Sequence, residues 1–212
     1  MGSGFLYYGK ELGYLLSVAF KLEHAASEHR SDTSRSAAHA LFHTTQSGIL
    51  PVGVLILIYD RQESFGGYLE DFKPGDIFKH WPGKTITEAD NHLFSLLTMN
   101  TNPLHIDDNY MQEHQHGKIL VVGPLILSLT VGMSVRDTSG KAIANLEYER
   151  VTHDAPVFQG DTIYAESEIL DVRESRSRSN RGVVYMESRA FNHRREKVLT
   201  LRRRFLVPKR EA

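Results

Sequence analysis

Residues Pro124–Val135 read PLILSLTVGMSV. Gly123 and Pro124 open the stretch, and proline suits the first turn of a helix, where its missing N–H has no intrahelical partner to lose. Apolar residues fall on nearly every side of the predicted helix, so no face is left for water and the helix must be buried. Downstream the pattern changes. Ala142–Val151, Asp161–Val172, Gly182–Asn192 and Lys197–Val207 each read as a strand. In the second of these, Ile163, Ala165, Ser167 and Ile169 alternate with Tyr164, Glu166 and Glu168, the period of two expected of a strand with two different faces. The connections carry Pro156, Gly160, Asn180-Arg181-Gly182 and Asn192, which are turn-forming residues. Helices followed by a run of strands define an α+β chain with a mostly antiparallel sheet. A single helix apolar all round requires that sheet to wrap around it, which is the hot-dog arrangement.

Upstream of the central helix, order begins near Phe65. Lys73-Pro74-Gly75-Asp76 is a turn. Thr87, with Asp90 three residues later, has the spacing of an N-cap and its acidic partner. The spacing predicts a helix over Asp90–Met99, with Leu93, Phe94, Leu96 and Leu97 as its apolar side, stopped by the proline-containing loop Asn100–His105. Asp107–Glu113 reads as a second short helix. The domain is thus expected over residues 65–210, with residues 1–64 as an N-terminal extension. Within that extension His24–Gly48 is rich in Ser, Ala, His and Thr, the composition of a variable extension and, more weakly, of a mitochondrial transit peptide. Localisation therefore stays open between the mitochondrial matrix and the cytoplasm. Ile49–Tyr59 is the longest apolar run. It is too short for the ~20 residues that span a bilayer, and Pro51 and Gly53 break it, so it is expected to be a buried strand or an interfacial segment and not a membrane span.

The composition narrows the function classes. The 212 residues carry a formal net charge of -1, which gives no footing for nucleic acid or an anionic membrane as principal partner. There is no cysteine, so thiol nucleophiles, disulfides and thiolate zinc sites are excluded. Eleven histidines are present, but none fall in a metal-ligand spacing such as H-E-x-x-H, and no metal is expected. His114 and His116 read as part of a polar loop.

The densest motif is Leu97-Thr-Met-Asn100-Thr-Asn102-Pro103-Leu104-His105-Ile-Asp107. It resembles the hydratase motif of the MaoC-like (R)-specific enoyl-CoA hydratases, whose core is Gly-Asp-x-Asn-Pro-Leu-His; Asn102, Pro103, Leu104 and His105 match in order and spacing. Val122-Gly123-Pro124-Leu125 stands where that family has His-Gly-Met-Leu, and Gly160-Asp161 matches its Gly-Asp turn. The resemblance covers about 145 residues, roughly two thirds of the chain. Two positions depart from it. Asn100 stands in place of the family's catalytic Asp, and Val122 in place of its His. The wording Leu-Thr-Met-Asn-Thr, together with Val157–Tyr164 and Val172–Arg178, is similar to the mesaconyl-CoA hydratase (β-methylmalyl-CoA dehydratase) subgroup.

The resemblance implies a hydro-lyase acting on an acyl-CoA thioester, with coenzyme A entering as part of the substrate and no other cofactor. A homodimer or higher homo-oligomer is implied as well. Its catalytic positions are Asn100, His105 and Gly123. Asn102, Arg173, Arg176 and Arg178 are candidate substrate-binding positions, the arginines for coenzyme A phosphates. The chemistry fits the residue types. Histidine moves protons near neutrality in either direction. A backbone N–H at a helix N-terminus suits the enolate charge that develops on a thioester oxygen. Asn100 orients water or simply tolerates left-handed backbone at a helix end. Gly123 is an oxyanion donor or a packing glycine, and the arginine run is a phosphate site or a solvated hairpin. Two competing functions remain: a hot-dog acyl-CoA thioesterase, disfavoured because Pro124–Val135 holds no carboxylate, and a binding subunit that has lost its Asp.

Overall fold

The computed structural model describes residues 60–210, together with the backbone of β1 (Ala37–Ala38) and β2 (Leu57–Ile58), which pair antiparallel. The chain divides into two units after Asp60. The expected burial of Ile49–Tyr59 and the reading of His24–Gly48 lie outside the described residues. In the second unit, five strands form one sheet in the order β3-β5-β6-β7-β4: β3 (Ile77–Thr85), β4 (Ala144–His153), β5 (Thr162–Glu174), β6 (Arg181–Asn192) and β7 (Lys197–Pro208). Every neighbouring pair is antiparallel. The helices are α1 (Glu88–Leu97), α2 (Pro103–Ile106), α3 (Asp108–Gln112) and α4 (Gly123–Val135). The sheet curls around α4, which packs on β3, β5, β6 and β7. This is a single hot-dog unit of the α+β class.

Two apolar clusters fill the space under the sheet. Ile86, Val121, Ile126, Val157, Ile163, Val198, Leu199 and Leu201 gather near the N-terminal end of α4. Leu69, Phe72, Ile169, Val184, Met186, Phe205 and Val207 fill the other end. The far end of α4 is tied down by Arg203. Its guanidinium is buried and donates to Ser134, Ser139 and Asn145, and burial pushes its pKa down to about 10. A second strut runs through His80, whose Nδ1 lies 2.7 Å from Asp137 and whose Nε2 lies 2.8 Å from Ser167, itself 2.7 Å from Ser188. This has the order of a hydrolytic triad, but both serines are fully buried, so no substrate reaches them. It joins β3, β5 and β6 to the residues that follow α4.

Three sequence expectations need correction. Strand β3 was not expected, because Pro82 and Gly83 interrupt its pattern. It is an edge strand whose register shifts between His80 and Lys84, and edges are where a sheet tolerates proline. Helix α1 presents the opposite side from the one expected: Leu93, Leu96 and Leu97 are 60%, 53% and 75% exposed, while Asn91 and Ser95 are fully buried. The polar side turns inward because Asn91 bonds main-chain groups there. Finally, α4 is not buried all round within one chain. Ile126, Thr130 and Ser134 form its buried stripe, and Pro124, Ser128 and Gly132 face outward.

The expected start of α1 matches closely. Thr87 Oγ1 accepts the Asp90 N–H and the Asp90 carboxylate accepts the Thr87 N–H. Hydrogen bonds from Lys84 and then Thr87 hold that carboxyl down at about 2. At the other end of α1 the left-handed residue is Met99, with φ 58°, and not Asn100. A side chain there costs about 1–2 kcal/mol that glycine avoids, partly offset by the extra freedom of glycine in the unfolded chain. Met99 is exposed and packs little. Met99→Gly is therefore expected to raise unfolding free energy by about 0.5–1 kcal/mol. Urea titration of both proteins measures it, and a loss of stability would contradict this reading.

Candidate active site

His105 sits on a single helical turn built by its neighbours. Asn102 caps α2 by accepting the Leu104 N–H at 3.1 Å, and Pro103 occupies the first turn. The turn is clamped to the segment before α4: the Leu120 N–H donates to Leu104 O at 3.0 Å, and His105 Nδ1 bonds Leu120 O at 2.9 Å. A carbonyl can only accept, so Nδ1 carries the proton and Nε2 is the basic nitrogen of the neutral ring. Among the described residues Nε2 has no hydrogen-bond partner. The same segment is fixed on its other side by Val121 N–H to Val157 O at 2.8 Å and by the Leu120–Phe158 bridge.

Asn91 joins these parts. It is fully buried, and its amide donates to His105 O at 3.0 Å while its oxygen accepts the Val122 N–H at 2.9 Å. One side chain thus sets the position of His105 and of the residue preceding Gly123. Sequence reading missed it, since an Asn within an amphipathic helix carries no local sign of such partners.

Gly123 opens α4. Its N–H has no hydrogen-bond partner among the described residues. Pro124 has no N–H, and the Leu125 N–H is taken by Val122 O at 3.0 Å. A Cβ on residue 123 would lie 2.6 Å from the His153 ring, so glycine is required for that ring to sit where it does.

His105 and Gly123 line one cavity of about 380 Å³, together with His116, His153, Asp154 and the apolar residues Leu120, Ile126, Pro156, Val157 and Val198 among others. The other expected site residues are elsewhere. Asn100 does not line the cavity; its side-chain oxygen accepts the Asn102 N–H at 3.2 Å and so braces the loop that carries His105. Asn102 acts as the cap described above. Arg173 lies near the end of β5, with Arg176 and Arg178 in the exposed hairpin beyond it. At roughly 3.3 Å per residue the strand carries them on the order of 30 Å from Ile163, which belongs to the cluster beside the cavity. They are not brought to the cavity of their own chain. His116, expected in a polar loop, turns into the cavity wall, its ring edge-on to Phe158 at 5.8 Å. His153 and Asp154 were not singled out; nothing local marks the end of a strand as a cavity wall. No group of three metal-ligating side chains occurs among the described residues.

A curled sheet around one helix defines a hot-dog domain, and one cavity in it is lined by His105, with a ring nitrogen unpaired among the described residues, and by the glycine that opens the helix. The chain belongs to the MaoC-like domain family, whose model matches residues 71–190. It is 30% identical over 146 residues to a mesaconyl-CoA hydratase of Cereibacter sphaeroides, covering 69% of this chain and 42% of that one. It is 32% identical over 146 residues to a beta-methylmalyl-CoA dehydratase of Chloroflexus aurantiacus, covering 69% and 41%. The chain thus spans about two fifths of the length of these curated relatives. A solved structure described as a monoamine oxidase regulatory protein, from Archaeoglobus, superposes with a TM-score of 0.62 at 30% identity, covering 69% of this chain and 97% of that one.

Proposed function

We propose that the chain adds water across, or removes it from, the Cα–Cβ bond of an enoyl-CoA thioester. The observation that carries this reading is the pair of unengaged groups, His105 Nε2 and the Gly123 N–H, on one cavity wall. In hydration, His105 Nε2 takes a proton from water as the water oxygen bonds Cβ. Charge moves to the thioester oxygen, where the Gly123 N–H and the N-terminal end of α4 stabilise it. The enolate then collapses to the thioester as His105 Nε2 gives that proton up to Cα, which returns the ring to its neutral form. Asn100 cannot accept a proton and stands outside the cavity wall, so the proton work falls to His105. Coenzyme A is part of the substrate.

The acyl group in this reading is branched or dicarboxylic, such as mesaconyl. Support comes from the names of the two relatives. The active form is a homodimer built from the 65–210 unit. Strand β4 is an open edge bearing the exposed apolar side chains Leu146, Tyr148 and Val151, and an edge of that kind pairs with another chain when nothing covers it. The substrate assignment is tested by giving the protein crotonyl-CoA and mesaconyl-CoA side by side and following the enoyl-thioester absorbance. Preference for mesaconyl-CoA is expected. Equal rates on both would remove the dicarboxylic assignment.

A further inference from the structure

We propose that His153 is the second oxyanion donor of this site, holding the thioester oxygen together with the Gly123 N–H. The inference rests on the hydratase reading and deepens it. Oxyanion sites stabilise developing charge with convergent donors, commonly two. The start of α4 supplies one. Val122 N–H is bonded to Asn91, Pro124 has no N–H, and Leu125 N–H is bonded to Val122 O, which leaves Gly123 alone. Val122 itself is apolar and buried, so the second donor has to come from another element.

His153 is that element's contribution. A Cβ built on Gly123 would lie 2.6 Å from His153 Cε1, 2.8 Å from Nε2 and 3.3 Å from Nδ1. A Cβ is two bonds from its own backbone nitrogen, so His153 Nε2 is no more than roughly 5 Å from the Gly123 nitrogen. An oxygen accepting from Gly123 at roughly 2.9 Å can therefore accept from the imidazole as well. His153 lines the same cavity as His105. Neither of its ring nitrogens has a hydrogen-bond partner among the described residues, whereas both ring nitrogens of His80 are engaged. Its backbone is held against β7: His153 pairs with Leu199, and Asp154 bonds Val198 O through its N–H and the Thr200 hydroxyl through its carboxylate at 2.7 Å. A neutral imidazole beside a carbonyl oxygen donates one N–H and needs no charge to do so. The division of labour is then clear: His105 moves protons between water and the substrate carbon, and His153 holds the oxygen.

Two measurements test this in the full-length protein. The first is steady-state hydration by the wild type, His153→Phe and His153→Gln. Phenylalanine keeps the ring over Gly123 and loses the donor, and kcat is expected to fall about a hundredfold with KM little changed. Glutamine restores an N–H and is expected to recover part of that loss. The second is infrared spectroscopy of bound butyryl-CoA with an isotope-labelled thioester carbonyl, which is saturated and cannot be hydrated. Wild-type protein is expected to lower the carbonyl frequency, and His153→Phe to lower it less. A His153→Phe enzyme with wild-type kcat, or one impaired only in KM, overturns the proposal. If the wild type hydrates no enoyl thioester, the hydratase reading fails, and the infrared arm still decides the role of His153. A carbonyl band that is the same in wild type and His153→Phe, or no binding of butyryl-CoA at all, overturns it.

Discussion

His105→Ala is expected to lower kcat for enoyl-thioester hydration about 10³-fold, within the range for a positioned acid–base group. The variant removes the basic Nε2 from the cavity wall and leaves the Gly123 N–H in place, so substrate still binds and KM changes far less than kcat. It also removes one hydrogen bond, from Nδ1 to Leu120 O, which is worth about 1 kcal/mol of stability. The loss of rate therefore has to be read alongside circular dichroism and a urea curve showing a folded protein. An alanine variant as fast as the wild type would take His105 out of the chemistry.

The second large effect is on stability and activity together. Asn91→Leu keeps the approximate volume of the side chain but leaves His105 O and the Val122 N–H without their partner in a fully buried place. Each unsatisfied group costs about 1–3 kcal/mol, so the variant is expected to lose about 3 kcal/mol or more of unfolding free energy. That is a large share of the roughly 5–15 kcal/mol that holds a domain folded. Because the same two bonds set His105 and the entry to Gly123, the folded fraction should also turn over more slowly. Urea unfolding and kcat, measured below the transition, check both parts. A loss under about 1 kcal/mol with unchanged kcat would mean that water replaces the amide and that Asn91 positions nothing.

The main features of the fold were legible in the sequence wherever a pattern was local. PLILSLTVGMSV gave up the central helix through the absence of a polar face, and four of the five sheet strands read as strands between turn-forming residues, one of them with a clear alternation. Strand β3 did not, because Pro82 and Gly83 break its period, and the sheet accepts them only because β3 is at an edge. The inward side of α1 was misread for the opposite reason. Leu93, Leu96 and Leu97 look like a core stripe, but the buried positions are Asn91 and Ser95, and Asn91's place depends on partners 14 and 31 residues away. The site divides in the same way. His105 and Gly123 lie in a recognisable run. His116 and His153 join them only once the strands are wound into a sheet and bring the end of β4 against the start of α4.

The central claim is that this chain moves water at the Cα–Cβ bond and leaves the thioester intact. The most direct test is incubation of the purified protein with mesaconyl-CoA and crotonyl-CoA in heavy-oxygen water, followed by mass spectrometry of the products. One labelled oxygen on the acyl chain of an intact CoA thioester, absent with His105→Ala, is the predicted result. Label in a released carboxylate with free coenzyme A would make the domain a thioesterase, and no label in any product would contradict the enzymatic account altogether.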